Sequence, residues 1–228
     1  MFTGIITAVG QIKSAQAKGD GLHLVLEVPA GYLDDVGLGD SIAIQGACMT
    51  ATQIEGNTFA LDISKESLNK TVGLDKIGPV NLEKALRLND RLGGHLVSGH
   101  VGGVGRVAHF AQVAADAYGS WLLRIEAPKA LAAFLAYKGS IVVNGVSLTV
   151  NKTEDTATSC LVDINIIPHT HQVTTIRLLR QGAKVSRLIA ERFPATMELA
   201  LVAAVIAMGV GIPLGVYAAL RRGRFGAQ

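Results

Sequence analysis

An all-β fold made of two tandem antiparallel barrels is predicted by three observations. GDSIAIQGACMTAT at 39–52 returns as KGSIVVNGVSLTVN at 138–151, so that Ser41 pairs with Ser140, Gly46 with Gly145 and Thr50 with Thr149, each 99 residues apart. Pro29 and Pro128 share that separation. A repeat this long exceeds solenoid and propeller units and marks duplicated whole domains. Short apolar alternations broken by Gly, Asp and Asn come next: LHLVLEV at 22–28, SIAIQG at 41–46 and TFALDI at 58–63. Their spacing of about ten residues is that of small sandwiches or barrels. A module with so few strands must hide its edges, which favours a closed barrel over an open sheet. The 228 residues accommodate two such domains and a tail.

The elements follow in order. FTGIITAVGQI at 2–12 resembles VSGHVGGVGRV at 97–107, aligning Gly4 with Gly99 and Ile5 with His100. The first module therefore spans 1–94 and the second 95–185. Only Gly93 and Gly94 join them, which leaves no flexible tether and predicts modules lying against each other. Helical signal is brief: PAGYLDDV after Pro29 and PKALAAFLAY after Pro128, where proline suits a first turn. A tail of different character, predicted helical, occupies 186–228.

The formal charge of +3 belongs to that tail, which holds five Arg and two Glu; residues 1–185 carry 16 basic and 16 acidic side chains. No basic nucleic-acid footprint marks the duplicated region. The two cysteines, Cys48 and Cys160, stand at non-equivalent places, so a disulfide framework is not expected. MFTGIITAVGQ lacks the basic and apolar regions of a signal peptide, and a cytoplasmic location is expected.

Polar residues recur at matched positions: Ser41, Cys48 and Thr50 in the first module, His100, Ser147 and Thr149 in the second. KES at 65–67 matches PHT at 168–170. Hydroxyls at alternate positions of a strand share a face, and such a face can hydrogen-bond a polyhydroxylated or heterocyclic ligand. Ser and Thr also populate strands and turns, and a lone Cys is commonly a small buried hydrophobe. Recurrence across a duplication is what favours binding. No metal is expected: CxxC and HExxH are absent, and His169 with His171 is the only close pair. GGVG at 102–105 lacks the strand-to-helix context of a dinucleotide site. Residue chemistry alone stops at a two-barrel protein with small-molecule sites.

MFTGII at 1–6, GACMT at 46–50, NLEKALRLNDRLGGHLVSGHV at 81–101, YKGSIVVNGVSLTV at 137–150 and NIIPHT at 165–170 together resemble riboflavin synthase of the alpha-chain type. The resemblance covers about 1–185 and implies two six-stranded Greek-key barrels related by pseudo-two-fold symmetry. It implies a cofactor-free dismutation in which one 6,7-dimethyl-8-ribityllumazine donates a four-carbon unit to another. Riboflavin and 5-amino-6-ribitylaminouracil result. It further implies a homotrimer in which the N-barrel of one subunit meets the C-barrel of a neighbour. The substrate-binding segments it implies are Gly4, Ile5, Ile6, Cys48, Met49, Thr50, Asp62, Ile63, Ser64, Lys65, Glu66 and Ser67 in the N-barrel. In the C-barrel they are Gly99, His100, Val101, Lys138, Ser147, Leu148, Thr149, Ile166, Ile167, Pro168, His169 and Thr170. Catalytic help is expected from Phe2, Ser41, Cys48 and His100, with His100 assisting deprotonation of the 7-methyl group and Cys48 or Ser41 delivering a nucleophile. A non-catalytic lumazine- or flavin-binding protein is the alternative.

Three departures bear on that alternative. Asn144 stands where the family has Asp, Gly102 replaces the Asp of GHVDG, and SRLIAERFPAT follows Val185 in place of an acidic NLE(V/I)D strand. An open edge on the second barrel is the expected consequence. In the tail, 199–220 carries no charge and RRGR follows at 221–224, a membrane-compatible pattern over 197–220 that resembles permease subunits of peptide-type ABC transporters. Gly209, Gly211, Pro213 and Gly215 would interrupt the other reading, a buried amphipathic helix.

Overall fold

A computed structural model describes residues 1–113 and 119–189, with the backbone alone at 187–189. The first barrel comprises β1 (Ala8–Lys18), β2 (Gly21–Glu27), β3 (Ser41–Ile44), β4 (Ala47–Thr50), β5 (Gln53–Glu55), β6 (Thr58–Ile63) and β7 (Gly78–Lys84), with helix α1 (Lys65–Lys70) after β6. The second comprises β8 (Val101–Gln112), β9 (Trp121–Pro128), β10 (Ser140–Val143), β11 (Val146–Asp155), β12 (Ser159–Ile166) and β13 (Lys184–Ile189), with α2 (Pro168–Val173) after β12. The second sheet is a closed six-stranded barrel in the order β10-β11-β12-β9-β8-β13; the first runs β4-β3-β7-β1-β2-β6-β5. Both orders are the Greek-key arrangement.

The seventh strand of the first sheet is a break, not an addition. β11 pairs with β10 through Ser140–Thr149 and with β12 through Val150–Ile164, bulging once between Val150 and Lys152. Its counterpart is interrupted at Ala51 and Thr52, leaving β4 on β3 and β5 on β6. The Thr52 amide still donates to the Ala60 carbonyl at 2.8 Å across the gap.

β13 overturns the expectation of an open edge. It pairs with β10 (Val142 opposite Leu188) and with β8 (Val185 opposite Gly105), so strand runs four residues beyond Val185 and closes the barrel. The physical reason is that a ladder is made by backbone groups; the missing acidic side chains cost it no hydrogen bond. Asn144 has a structural place in the same closure. It sits in a left-handed turn at φ 50, and its Oδ1 accepts from the Ser186 amide at 2.8 Å. Gln45, also at φ 50, does the same in the first barrel, its Oε1 accepting from the Asn81 amide at 3.0 Å. An amide oxygen fills this role as well as a carboxylate, so the Asp-to-Asn departure leaves the closure intact.

The predicted helix after Pro29 is a run of turns, because Gly31 at φ +80 breaks it; the one after Pro128 is a 3₁₀ turn at Lys129–Phe134. The α-helices stand elsewhere. Ser64 caps α1 by accepting from the Ser67 amide, and Pro168 opens α2 at its first turn.

Each barrel encloses its own core, around Ile12, Leu24, Ile42 and Leu61 in the first and Leu123, Ile141, Val150 and Ile164 in the second. A third cluster of Phe2, Ala43, Val97 and Val142 joins the two. Phe2 and Val97, equivalents in the repeat, exchange backbone hydrogen bonds at 2.8 and 3.0 Å. The modules lie against each other, as the short linker requires. The predicted tail helix and the membrane-compatible stretch at 197–220 lie outside the described residues. Among the described residues no helix is long and apolar enough to cross a membrane.

Candidate functional site

Alternation along β4 decides which side chains can meet a ligand. Met49 turns into the first barrel's core, whereas Cys48 is half-buried and Thr50 exposed on the outer face. β11 repeats this, with Leu148 inward and Ser147 and Thr149 outward. Ile63 and Ile166 are likewise core residues. Met49, Leu148, Ile63 and Ile166 turn their side chains inward and present main chain to the outer face.

The barrels trade coverings across the interface. The Cys48 amide donates to the Gly99 carbonyl at 2.9 Å, and the Ser147 amide donates to the Gly4 carbonyl at 2.7 Å. Cys48 matches Ser147 and Gly4 matches Gly99, so the contact is reciprocal, as a two-fold relation demands. Both glycines have positive φ, +75 and +87. A Cβ on Gly4 would stand 2.5 Å from the Ser147 Cβ, and one on Gly99 2.6 Å from the Cys48 Cβ. Only glycine allows these crossings. Gly4 and Ile6, assigned to the N-barrel from sequence, thus serve the second barrel, where Ile6 packs on the core, while Ile5 stays with the first. Val101 packs on the first barrel's core.

Around Cys48 a cavity of about 170 Å³ is lined by Ser67 and Lys70 of the α1 helix and by Gly99 and His100. Cys48 and His100 both line it. Ser41 does not join them: it lines a larger hollow of about 530 Å³ with Thr3, Ile5 and Glu83. Lys84 and Arg87 on that hollow's rim both pair with Asp35, at 2.6 and 2.5 Å. Phe2 is 0% exposed and packs behind the crossing, where a Cβ on Gly99 would meet its ring at 2.9 Å. Its buried ring shapes the wall behind Gly99 and Cys48.

The remaining expected residues are spread along the same edges. Asp62 points to the surface, where Lys18 and His23 hold its carboxyl below the ordinary carboxylate range. Ser64 serves as the α1 cap, while Lys65 is exposed and Glu66 reaches the Cys48 cavity. Lys138 sits in a left-handed turn with its ammonium donating to Asn151 at 3.1 Å. Ile167 and His169 are exposed at the start of α2, flanking Pro168, and the Thr170 carbonyl accepts from Thr174 at 2.7 Å.

Two residues outside the sequence-derived set bear on the Gly4–Ser147 crossing. His95 brings Nδ1 within hydrogen-bond reach of the Ser147 hydroxyl, and its amide donates to the Thr3 carbonyl at 2.9 Å. His95 lies just before the segment 97–107 that repeats 2–12, so the repeat does not flag it. Glu83 accepts from the Thr3 amide at 2.6 Å, the Thr3 hydroxyl at 2.7 Å and the Gly4 amide at 2.9 Å. Burial nevertheless pushes its carboxyl above the ordinary value. Among the described residues no cluster of three or more His, Cys, Asp or Glu has the spacing of a metal site.

The lumazine binding domain model matches this chain twice, over residues 3–85 and 98–186. Riboflavin synthase of Photobacterium phosphoreum is 40% identical over 188 residues, covering 82% of this chain and 83% of that protein. Riboflavin synthases of Actinobacillus pleuropneumoniae and Bacillus subtilis (strain 168) are 38% and 39% identical with the same coverage. The crystal structure of LumP complexed with riboflavin superposes with a TM-score of 0.72 at 25% identity, covering 83% of this chain and 99% of that one. LumP complexed with 6,7-dimethyl-8-(1'-D-ribityl) lumazine gives 0.69 at 23%, a likeness of fold. With two matched domains, two reciprocal half-sites and relatives of this identity, the chain belongs to the riboflavin synthase family of lumazine-binding proteins.

Proposed function

We infer that this chain is a riboflavin synthase, a transferase moving a four-carbon unit between two molecules of 6,7-dimethyl-8-ribityllumazine. The observation that carries this reading is the reciprocal crossing, in which each barrel's reactive strand is covered by the other's arm: Cys48 by Gly99 and Ser147 by Gly4. A dismutation needs two places for one substrate, and a duplicated fold supplies two versions of one place. The carbons that leave the donor are those the acceptor gains, and the donor is released as the diaminopyrimidine. No outside oxidant enters the balance. What the protein supplies is proximity and orientation.

The two half-sites differ where chemistry is concerned. The first offers Cys48 with His100, and the second offers Ser147 with His95. His100 is exposed in a cavity beside the Cys48 thiol, a position from which an imidazole can take a proton from the acidic 7-methyl group of a bound lumazine. Cys48 is the nucleophile candidate for the acceptor ring. Ser41, in the neighbouring hollow, is better placed for a ribityl hydroxyl than for the ring atoms near Cys48.

A cavity of about 170 Å³ is smaller than ordinary ligand sites of roughly 300–1,000 Å³. This supports a site completed by another subunit, the first barrel of one chain facing the second barrel of a neighbour in a homotrimer. The test is a lumazine dismutation assay on the purified chain, with molar mass read by light scattering on the same sample. Riboflavin should form with one equivalent of the pyrimidine. Tight lumazine binding without riboflavin would establish a binding protein instead.

A further inference from the structure

We propose that Glu83 is a positioning residue for the second half-site: from the first barrel it clamps the Thr3–Gly4 arm, and through that arm it sets both the main chain and the hydroxyl of Ser147. The inference rests on reading the Ser147 face as a lumazine half-site.

Three distances define the clamp. One carboxylate oxygen accepts from the Thr3 amide and hydroxyl at 2.6 and 2.7 Å, and the other accepts from the Gly4 amide at 2.9 Å. Two branches then run from the arm to Ser147. The Gly4 carbonyl takes the Ser147 amide at 2.7 Å, and the Thr3 carbonyl takes the His95 amide at 2.9 Å. His95 in turn brings Nδ1 to the Ser147 Oγ. One carboxylate therefore governs a strand amide and an imidazole that meet at the same serine.

Glu83 is 6% exposed. A carboxylate this buried stays in place only when its partners satisfy it, and a buried ionisable group holding three donors on Thr3 and Gly4 is costly to keep for packing alone. Opposite Ala43 stands Glu83, and opposite Val142, the equivalent of Ala43, stands Leu188. β13 thus offers no carboxylate to the arm that carries Ser98, Gly99 and His100. The duplication has kept the crossing on both sides and the carboxylate clamp on one. The Ser147 half-site is held preset, while the Cys48 half-site is covered by an arm that the closing strand does not clamp in this way.

The test compares full-length E83Q, isosteric and uncharged, with the unaltered chain by amide hydrogen exchange and by the imidazole nitrogen resonances of His95. Neither readout needs substrate, so failure of the clamp is distinguishable from failure of the lumazine reading, which the dismutation assay decides separately. Exchange at Thr3, Gly4 and Ser147 is expected to quicken about tenfold or more, the equivalent of one charge-assisted hydrogen bond. The His95 resonances are expected to shift, with exchange at Cys48 and Gly99 unchanged. Unchanged exchange at Ser147 with an unmoved His95 ring would overturn the proposal. So would equal loosening at Cys48 and Gly99, since that reports a general structural role. Should E83Q fail to fold, T3A removes the hydroxyl arm of the clamp alone and must give the same pattern at smaller amplitude.

Discussion

At the scale of single residues, function here depends on which neighbour a side chain has been given. Cys48 and Ser147 occupy one position in the repeat, yet the thiol shares a cavity with an exposed His100 and the hydroxyl meets His95. The same contrast separates His171 from the other histidines. Its ring lies 4.2 Å from that of Trp121 at 6° to parallel, with Phe110 alongside at 6.0 Å. Burial pushes its pKa below the ordinary value, and Arg177 and Arg180 add to the shift. The folded state therefore prefers the neutral ring, and the unfolded chain binds the proton first as pH falls. Stability from this site is complete above the ordinary histidine range and declines as pH falls from there through the lowered folded value. Because Trp121 is the only tryptophan, its fluorescence reads the event directly. Emission should fall on acidification with a midpoint below that of free histidine, and H171A should abolish the transition. A midpoint at or above the free value would refute the stacked, neutral assignment.

At the scale of elements, closure of the second barrel turns on one turn residue. Asn144 accepts from the Ser186 amide and so ties the β10–β11 turn to β13. N144A removes the acceptor and leaves a donor on a 1% exposed residue unsatisfied, a loss of about 1–3 kcal/mol. The denaturant midpoint should drop with an unchanged slope, and N144D, which keeps an acceptor oxygen, should recover most of it if the carboxylate's own burial is tolerated. Strands of this kind are legible in the sequence because alternation is local: the 99-residue repeat aligns β3 with β10 and β4 with β11. β13 is not legible from its side chains because the acidic pattern of such a strand is not what a backbone ladder requires. α1 and α2 escaped notice because six residues are too few to display a helical period. Repetition makes the outer-face residues Cys48, Ser147 and Thr149 legible, whereas His95 lies outside the repeated segments 2–12 and 97–107. That Gly4 covers Ser147 and Gly99 covers Cys48 is a non-local fact, set by how two barrels pack, and no local pattern encodes it.

At the scale of the whole molecule, the two-fold relation constrains where a complete site can form. The pair Phe2 and Val97 lies on the relation between the barrels, and each half-site is a reactive strand of one barrel beneath the arm of the other. If the productive site joins the first half-site of one chain to the second half-site of a neighbour, defects in different half-sites should complement. C48A destroys the first half-site and S147A the second, and each alone should lose most turnover. Equal amounts of the two, unfolded and refolded together, would make about one quarter of the interfaces from two intact halves if subunits mix at random and the contact is head-to-tail. Activity should therefore return to about that fraction of the unaltered chain, as riboflavin formed per mole of protein. A site confined to one chain predicts no recovery at any mixing ratio, because every chain would then carry a defect. Light scattering on the mixed sample must show association of chains whenever activity returns. Recovery in a strictly monomeric sample would defeat the intersubunit arrangement, since no neighbour would be present to lend its intact half.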